Sequence, residues 1–417
     1  MPPVPVTPPR LLVADQVAGN IRVLDLPSGE TAGLVEGRHL AEHAGFLALP
    51  GGRTAFVDDL AGELVVLDPY GPDRGRPLVT ATVPVAAPAE HLAADPSGRL
   101  LAVTTGLGRN DEPWSDLLTV IDLTNPAAPR SARVRTRVGE PGVTVLAPSG
   151  PGAEDALVVL RHREPGSLTA YRHADLLAAG PSCPPAVPAG GLRLSDDDGH
   201  GDAHDPRTGT LYAAAGSGVH RARRAGDGLT TGTPLGWGGP GRGYYLRLDP
   251  VRRLLWSCVR SGPADPGRWP EWENGAWWHA LDRRTTGRLA LGRGLVFRLA
   301  VAARRVAYAR VHPEGDELIL LDPEGPRISA RIALPPMDGA PKRGGTPWDG
   351  VQRRAIAASP GGPLIAVSRG GHGEIEVIDS TAGTHVTTLR VPTPLDDGGH
   401  LALVQPGDAA HEDPVGR

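Results

Sequence analysis

Four histidines, His43, His91, His200 and His400, each stand just ahead of a short apolar run, with Glu42 beside the first, Glu90 beside the second and Asp202 two residues after the third. Neutral imidazole is the commonest protein metal ligand. Imidazoles joined by carboxylates suit a divalent transition ion, zinc first and iron second, better than calcium or magnesium. An ion held this way can act as a Lewis acid or activate a water, with Glu90 or Asp202 as the base. Taken singly, each histidine is better explained by a hydrogen bond to nearby backbone than as a ligand; the joint pattern is what points to an ion. The densest cluster is SDDDGHGDAHDP at 195–206. Its Asp and Gly are also ordinary turn residues, and the spacing is not that of an EF-hand loop.

These groups can serve one ion only if the fold gathers positions far apart in sequence. A recurring phrase supplies the means. An alternating apolar run ends in Asp and passes into a turn: IRVLDLPSGE from 21, ELVVLDPYG from 63, LLTVIDLTN from 117, WWHALDRRTTG from 277, ELILLDPEGP from 317 and EIEVIDSTAG from 374. Two further copies, SLTAYRHAD from 167 and GVHRARRAGDG from 218, carry Arg172 and Arg223 where the others carry Asp25, Asp68, Asp122, Asp282, Asp322 and Asp379. Period-two alternation means half-buried strands. Upstream of most copies lies a strand, a Pro/Gly turn and another strand, as in HLAADPSGRLLAVTT from 91 or AHDPRTGTLYAAA from 203.

Each unit therefore holds about four short strands in roughly 40–60 residues, which predicts one all-β propeller over 10–408. The count is eight blades, with seven as the fallback because the unit near Gly218 is poorly patterned. HLALVQPGD from 400 is a first strand with nothing after it, and RLLVADQVAGN from 10 begins at a second strand. Joined, they make one blade of antiparallel strands and remove the free edges. Residues 1–9 and 409–417 are expected as tails.

In a propeller the first strand of each blade lines the axial channel. Counting back from the Pro of each hairpin turn places His43, Glu90–His91, Gly142, His200 with Asp202, Tyr244–Tyr245, Arg354 and His400 at the channel mouth. His162, His312 and His372 fall on the same face, so seven of the 14 histidines do. Trp114, Trp237, Trp269, Trp272 and Trp348 fall in loops of that face. The longest insertion, residues 260–278, is far longer than a hairpin needs. It can close over the mouth as a lid, with Trp114, Trp269, Trp272, Trp348 and Tyr245 binding a small organic molecule, Tyr244 acting in catalysis and Arg354 holding an anion. Equally, it can fold back and pack on a neighbouring blade.

The phrase set, LAADPSGRLLAV above all, resembles the YVTN/YncE-type bacterial β-propellers over nearly the whole chain, which implies the architecture and little about activity. The step His200-Gly201-Asp202 resembles a histidine-glycine-acid step in the AztD family of zinc metallochaperones, also propellers. That resemblance implies zinc carriage. Members of the family are exported and carry a His-rich flexible segment, patterns this sequence does not show.

Other chemistry is excluded or unsupported. The net charge is −4, and all but one of the 43 basic residues are arginine, the exception being Lys342. No nucleic-acid or membrane partner is expected. No apolar stretch is long enough to span a bilayer, and no leader pattern opens the sequence, so the cytoplasm is the expected compartment. There is no G-x-S-x-G, H-E-x-x-H or P-loop. Three functions follow: a metal pocket acting on a small molecule by lyase, isomerase or hydrolase chemistry; a zinc carrier without turnover; and a scaffold that binds a protein through the disc face.

Overall fold

The computed structural model describes residues 7–72, 75–106, 108, 112–148, 155–197 and 199–406. Alternating sequence becomes strand wherever the Asp phrase occurs; the strand ends on Asp25, Asp68, Asp122, Asp322 and Asp379, and at Ala280 two residues before Asp282. Asp68, Asp122, Asp322 and Asp379 each accept a hydrogen bond from the amide two residues on, at 2.9, 2.8, 3.0 and 2.7 Å. A short acceptor side chain turns the backbone before the next strand can start. The upstream hairpins use the same device. Asp95 accepts from the amide of Leu100 at 2.9 Å and from the Ser97 hydroxyl at 2.6 Å, closing the DPSG turn.

The strands form eight antiparallel sheets, and these are the blades. Inner strands, in ring order, are His400–Val404 (blade 1), Phe46–Leu49 (blade 2), His91–Ala94 (blade 3), Gly142–Leu146 (blade 4), Asp202–Asp205 (blade 5), Arg242–Asp249 (blade 6), Leu295–Val301 (blade 7) and Ile356–Ala358 (blade 8). Each packs beside the next, and His400–Val404 packs beside Phe46–Leu49, so the ring is closed. Blade 1 is shared: His400–Val404 pairs with Arg10–Asp15, which continues through Asn20–Asp25 to Thr31–Glu36. The eight-blade count holds and the fallback of seven does not. The weakly patterned unit is blade 5, which carries an extra short strand, Leu235–Gly236, paired with the start of Gly218–Ala225.

Burial is organised by the gaps between blades rather than around one centre. Each gap holds its own apolar cluster. Leu47, Val57, Val66, Leu92, Val103 and Ile121 fill the gap between blades 2 and 3. Leu11, Leu24, Ala357, Val377 and Leu401 fill that between blades 8 and 1. Equivalent sets fill the other six. A blade is apolar on both faces and is stable only between two neighbours. Of the expected tails, residues 7–9 are described and are tied down. The Tyr70 hydroxyl lies 3.1 Å from the carbonyls of both Pro8 and Val404, and the Leu26 amide donates to Pro9 at 2.9 Å. The other tail residues lie outside the described range.

Removing the chain from residue 400 onward strips blade 1 of its inner strand and leaves the buried edge Arg10–Asp15 unpaired. The expected outcome is a Tm lower by roughly 10 °C or more and concentration-dependent association on size exclusion. An unchanged melt and elution position contradicts closure.

Candidate functional site

Ring closure gathers mouth residues of five blades around one cavity of about 140 Å³. His43 stands in the turn before the inner strand of blade 2, and its Nδ1 meets Glu90 Oε2 at 2.5 Å. Glu90 stands just before the inner strand of blade 3, and Gly106 leaves room for it: a Cβ there would lie 2.8 Å from the carboxylate. His91 opens that strand. Glu140, Arg161 and Arg163 come from blade 4, His200, Gly201 and Asp202 from blade 5, Tyr245 and Arg247 from blade 6.

An ion pair crosses from blade 4 to blade 5 and sets the floor. Arg161 is buried and donates from Nε to Asp202 Oδ1 at 2.8 Å and from a terminal nitrogen to the Gly199 carbonyl at 2.7 Å. It passes over Gly142, where a Cβ would come within 2.3 Å of the Asp202 carboxylate. Gly142 is therefore required by the pair. Beside it Arg163 pairs with Glu140. At Gly201 (φ +110) a Cβ would lie 2.8 Å from the Cα of Tyr245, whose amide donates to the His200 carbonyl at 3.2 Å. Thus the His-Gly-Asp step fits because glycine lets blades 5 and 6 approach.

The electrostatics favour neutral imidazole. Burial, and then the charge of Arg161, hold the His91 pKa well below its usual range. Its Nδ1 is buried with no hydrogen-bond partner. Asp202 is pushed upward by burial, against the pull of Arg161. His400 also has a buried, unpartnered Nδ1 and a pKa well below its usual range, from burial and then from Arg298 and Arg353.

Three of the four metal-ligand candidates, His43, His91 and His200, face this cavity together with Glu90 and Asp202. His400 is not among its lining and sits on the Arg298 and Arg353 side. Among the described residues no three His, Cys, Asp or Glu side chains stand close enough to hold one ion, so the expected four-histidine centre is not preformed. The donor types still fit a divalent ion, because His91 offers a neutral, unpartnered nitrogen. Closing a shell needs His43 to turn away from Glu90.

The residues expected to handle an organic molecule are mostly placed elsewhere. Arg354 is buried and braces blade 8 to blade 7: its Nε donates to Asp316 Oδ2 at 2.8 Å, and it also donates to the carbonyls of Ser368 and Pro335. The Tyr244 hydroxyl accepts from Arg242 at 2.5 Å and Arg260 at 2.7 Å, and Arg260 lies over its ring. A β-bulge between Tyr244 and Arg247, with Tyr245 at φ +56, turns Tyr245 to the cavity instead. Trp269 and Trp272 are buried with Leu295, Val311 and Met337, and Trp348 stacks on Trp272 at 5.9 Å. Their indole nitrogens donate to the Lys342 and Pro263 carbonyls. The insertion thus packs on blade 7 and on the segment around Met337 and Trp348. Trp237 is buried against Trp277, Trp114 is 42% exposed, and neither lines the cavity. Sequence reasoning missed Glu140, in the loop before the inner strand of blade 4, Arg161 and Arg163, at and just past the end of its second strand, and Arg247, past the bulge.

No family model matches this sequence, and no curated protein does. Solved structures share the fold. Apo AztD from Citrobacter koseri matches with a TM-score of 0.65 at 13% identity, over 96% of this chain and 99% of that one. Dihydro-heme d1 dehydrogenase NirN, in complex with DHE, matches at 0.59 and 14% identity over 94% and 74%. A functionally unknown protein from Desulfotomaculum acetoxidans matches at 0.52 and 13% identity over 95% and 99%. At these identities the likeness is one of architecture. Among the described residues no helix is long and apolar enough to cross a membrane.

Burial holds seven histidines below their usual pKa: 91, 162, 173, 204, 279, 312 and 400, with His162 at about 3 and His204 and His279 at about 4. Between those values and the unfolded value near 6.5 the unfolded chain binds more protons, so stability is complete above about pH 6.5 and is lost as pH falls. A well-buried histidine such as His162 or His204 contributes up to ~1.4 kcal/mol per pH unit. Denaturant melts from pH 7 to 5 should show falling stability, with a shallower slope in His162→Gln. A flat profile, or an unchanged slope in the variant, contradicts this.

Proposed function

We propose that the protein is a metal-carrying β-propeller whose channel-mouth cavity binds one divalent transition ion, zinc before iron, through His43, His91 and His200 with Glu90 as an oxygen ligand. The observation that carries this is the neutral, buried and unpartnered Nδ1 of His91 in a cavity it shares with two imidazoles from other blades. The Arg161–Asp202 and Arg163–Glu140 pairs neutralise two nearby guanidinium groups, which lowers the repulsion a cation would meet. Binding draws His43 off Glu90 and releases both as ligands. The His200-Gly201-Asp202 step and the likeness in fold to AztD support carriage.

Carriage is preferred to turnover because the groups read from the sequence as substrate-handling, Arg354, Tyr244 and the insertion tryptophans, are engaged in internal contacts away from the cavity. A scaffold role has less support. The exposed large apolar residues Val17, Leu34, Leu60, Leu78, Trp114, Val187, Val251 and Val386 are scattered over several blades. Cys183 and Cys258 are free thiols, which supports a reducing compartment such as the cytoplasm.

Tag-free protein titrated with zinc against a chromophoric chelator should bind one equivalent. His91→Ala and His200→Ala should each weaken that binding by roughly 100-fold. Absence of stoichiometric zinc binding, or binding unchanged in both variants, overturns the proposal.

A further inference from the structure

The two blades that carry arginine in place of the turn Asp use it differently. In blade 4, Arg172 pairs with Asp227 and lies 3.6 Å from Asp175. In blade 5, Arg223 has no carboxylate partner among the described residues, and its Nε donates to the Thr210 hydroxyl at 2.9 Å. Arg223 lines a groove of about 550 Å³ between blades 5 and 6. The inner strand of blade 5 runs from Asp202, at the mouth, to Asp205, in this groove, so the groove opens on the opposite face of the disc.

Four arginines and two aspartates line the groove, an excess of two positive charges. His279 adds none, because burial, and then Arg221, hold its pKa at about 4. One arginine engages both carboxylates. Arg253 grips Asp205 with its two terminal nitrogens, one of them at 2.9 Å, and its Nε lies 3.4 Å from Asp282. Arg221 donates from two nitrogens to the Thr233 carbonyl, at 3.0 and 2.7 Å. Arg284 is exposed and has no hydrogen-bond or ion-pair partner for its side chain among the described residues. Arg221, Arg223 and Arg284 thus share one concavity without a counter-charge, and Thr230 adds a hydroxyl to the lining.

The backbone is also unusual here. Seven non-glycine residues among those described hold a left-handed backbone, and two of them, Arg253 (φ +60) and Arg284 (φ +55), line this groove. Matching turns use glycine. Gly209 (φ +62) precedes the second strand of blade 5 as Arg253 precedes that of blade 6. The Arg284 amide closes its turn on the carbonyl four residues back, at 2.7 Å, as Gly29 and Gly383 do at 2.8 Å in blades 1 and 8. A side chain is disfavoured at such φ, and such positions cluster at functional sites.

We infer that this groove binds a phosphomonoester of a small organic molecule, its phosphate held by Arg221, Arg223 and Arg284 and its body against Tyr212 and Leu281. A phosphomonoester carries close to two negative charges near neutral pH, which balances the excess in the groove. Guanidinium forks match phosphate oxygens through paired hydrogen bonds, and the volume suits a small-molecule ligand. No lining residue is shared with the mouth cavity, so the inference is independent of the zinc proposal.

The test is isothermal titration calorimetry of the full chain with phenyl phosphate, which should bind at one site. Arg223→Asp, the residue six blades carry at that position, and Arg284→Gly, which suits the backbone there, should each weaken binding by roughly 10-fold or more. Neither should melt more than about 3 °C below wild type. Benzoate, with one charge fewer, should bind at least roughly 10-fold more weakly than phenyl phosphate. His91→Ala should bind phenyl phosphate as wild type does. No binding, unchanged affinity in both variants, benzoate binding as tightly, or binding to phosphatidic acid vesicles with none to phenyl phosphate overturns the inference.

Discussion

Antiparallel pairing of His400–Val404 with Arg10–Asp15 is the contact on which the rest of the molecule depends. It converts an open row of sheets into a ring. Every blade then has two neighbours, and every gap can hold its own apolar cluster. No blade could bury both faces alone. Closure also defines an axis, and only around an axis can His43, His91 and His200 share a cavity.

At the mouth the same closure creates an electrostatic problem. Arginines, carboxylates and histidines from different blades crowd the lining of a cavity of about 140 Å³. The structure resolves most of it by pairing, with Arg161 on Asp202 and Arg163 on Glu140, and by keeping His91 and His400 neutral through burial. Two glycines, Gly142 and Gly201, provide the clearance these arrangements need. Among the groups left unpaired, the Nδ1 of His91 belongs to a residue that lines the cavity and marks where a ligand has something to bind.

The blades were legible in the sequence because strand alternation and the terminal Asp are local signals, and Asp68, Asp122, Asp322 and Asp379 make the turns expected of them. The site was legible in part. Counting back from a turn proline located His91 and Asp202 because their hairpins contain one. Tyr244 and Tyr245 are adjacent, and only the bulge decides which faces the cavity; a bulge has no two-residue signature here. Arg354 was placed at the right end of its strand, but its side chain finds Asp316 between blades. The insertion tryptophans were found as a group, yet their partners, Met337, Leu295 and Val311, lie on other segments. Long-range contacts of that kind leave no mark in local pattern.

Anomalous diffraction at the zinc edge, from crystals of the zinc-loaded protein, tests the shared cavity most directly. The account predicts a single strong peak within coordination distance of His91 Nδ1, with nitrogen from His200 or His43 completing the shell. A peak bound only by surface groups, or no peak at the mouth while His91 Nδ1 remains without a partner, would contradict it.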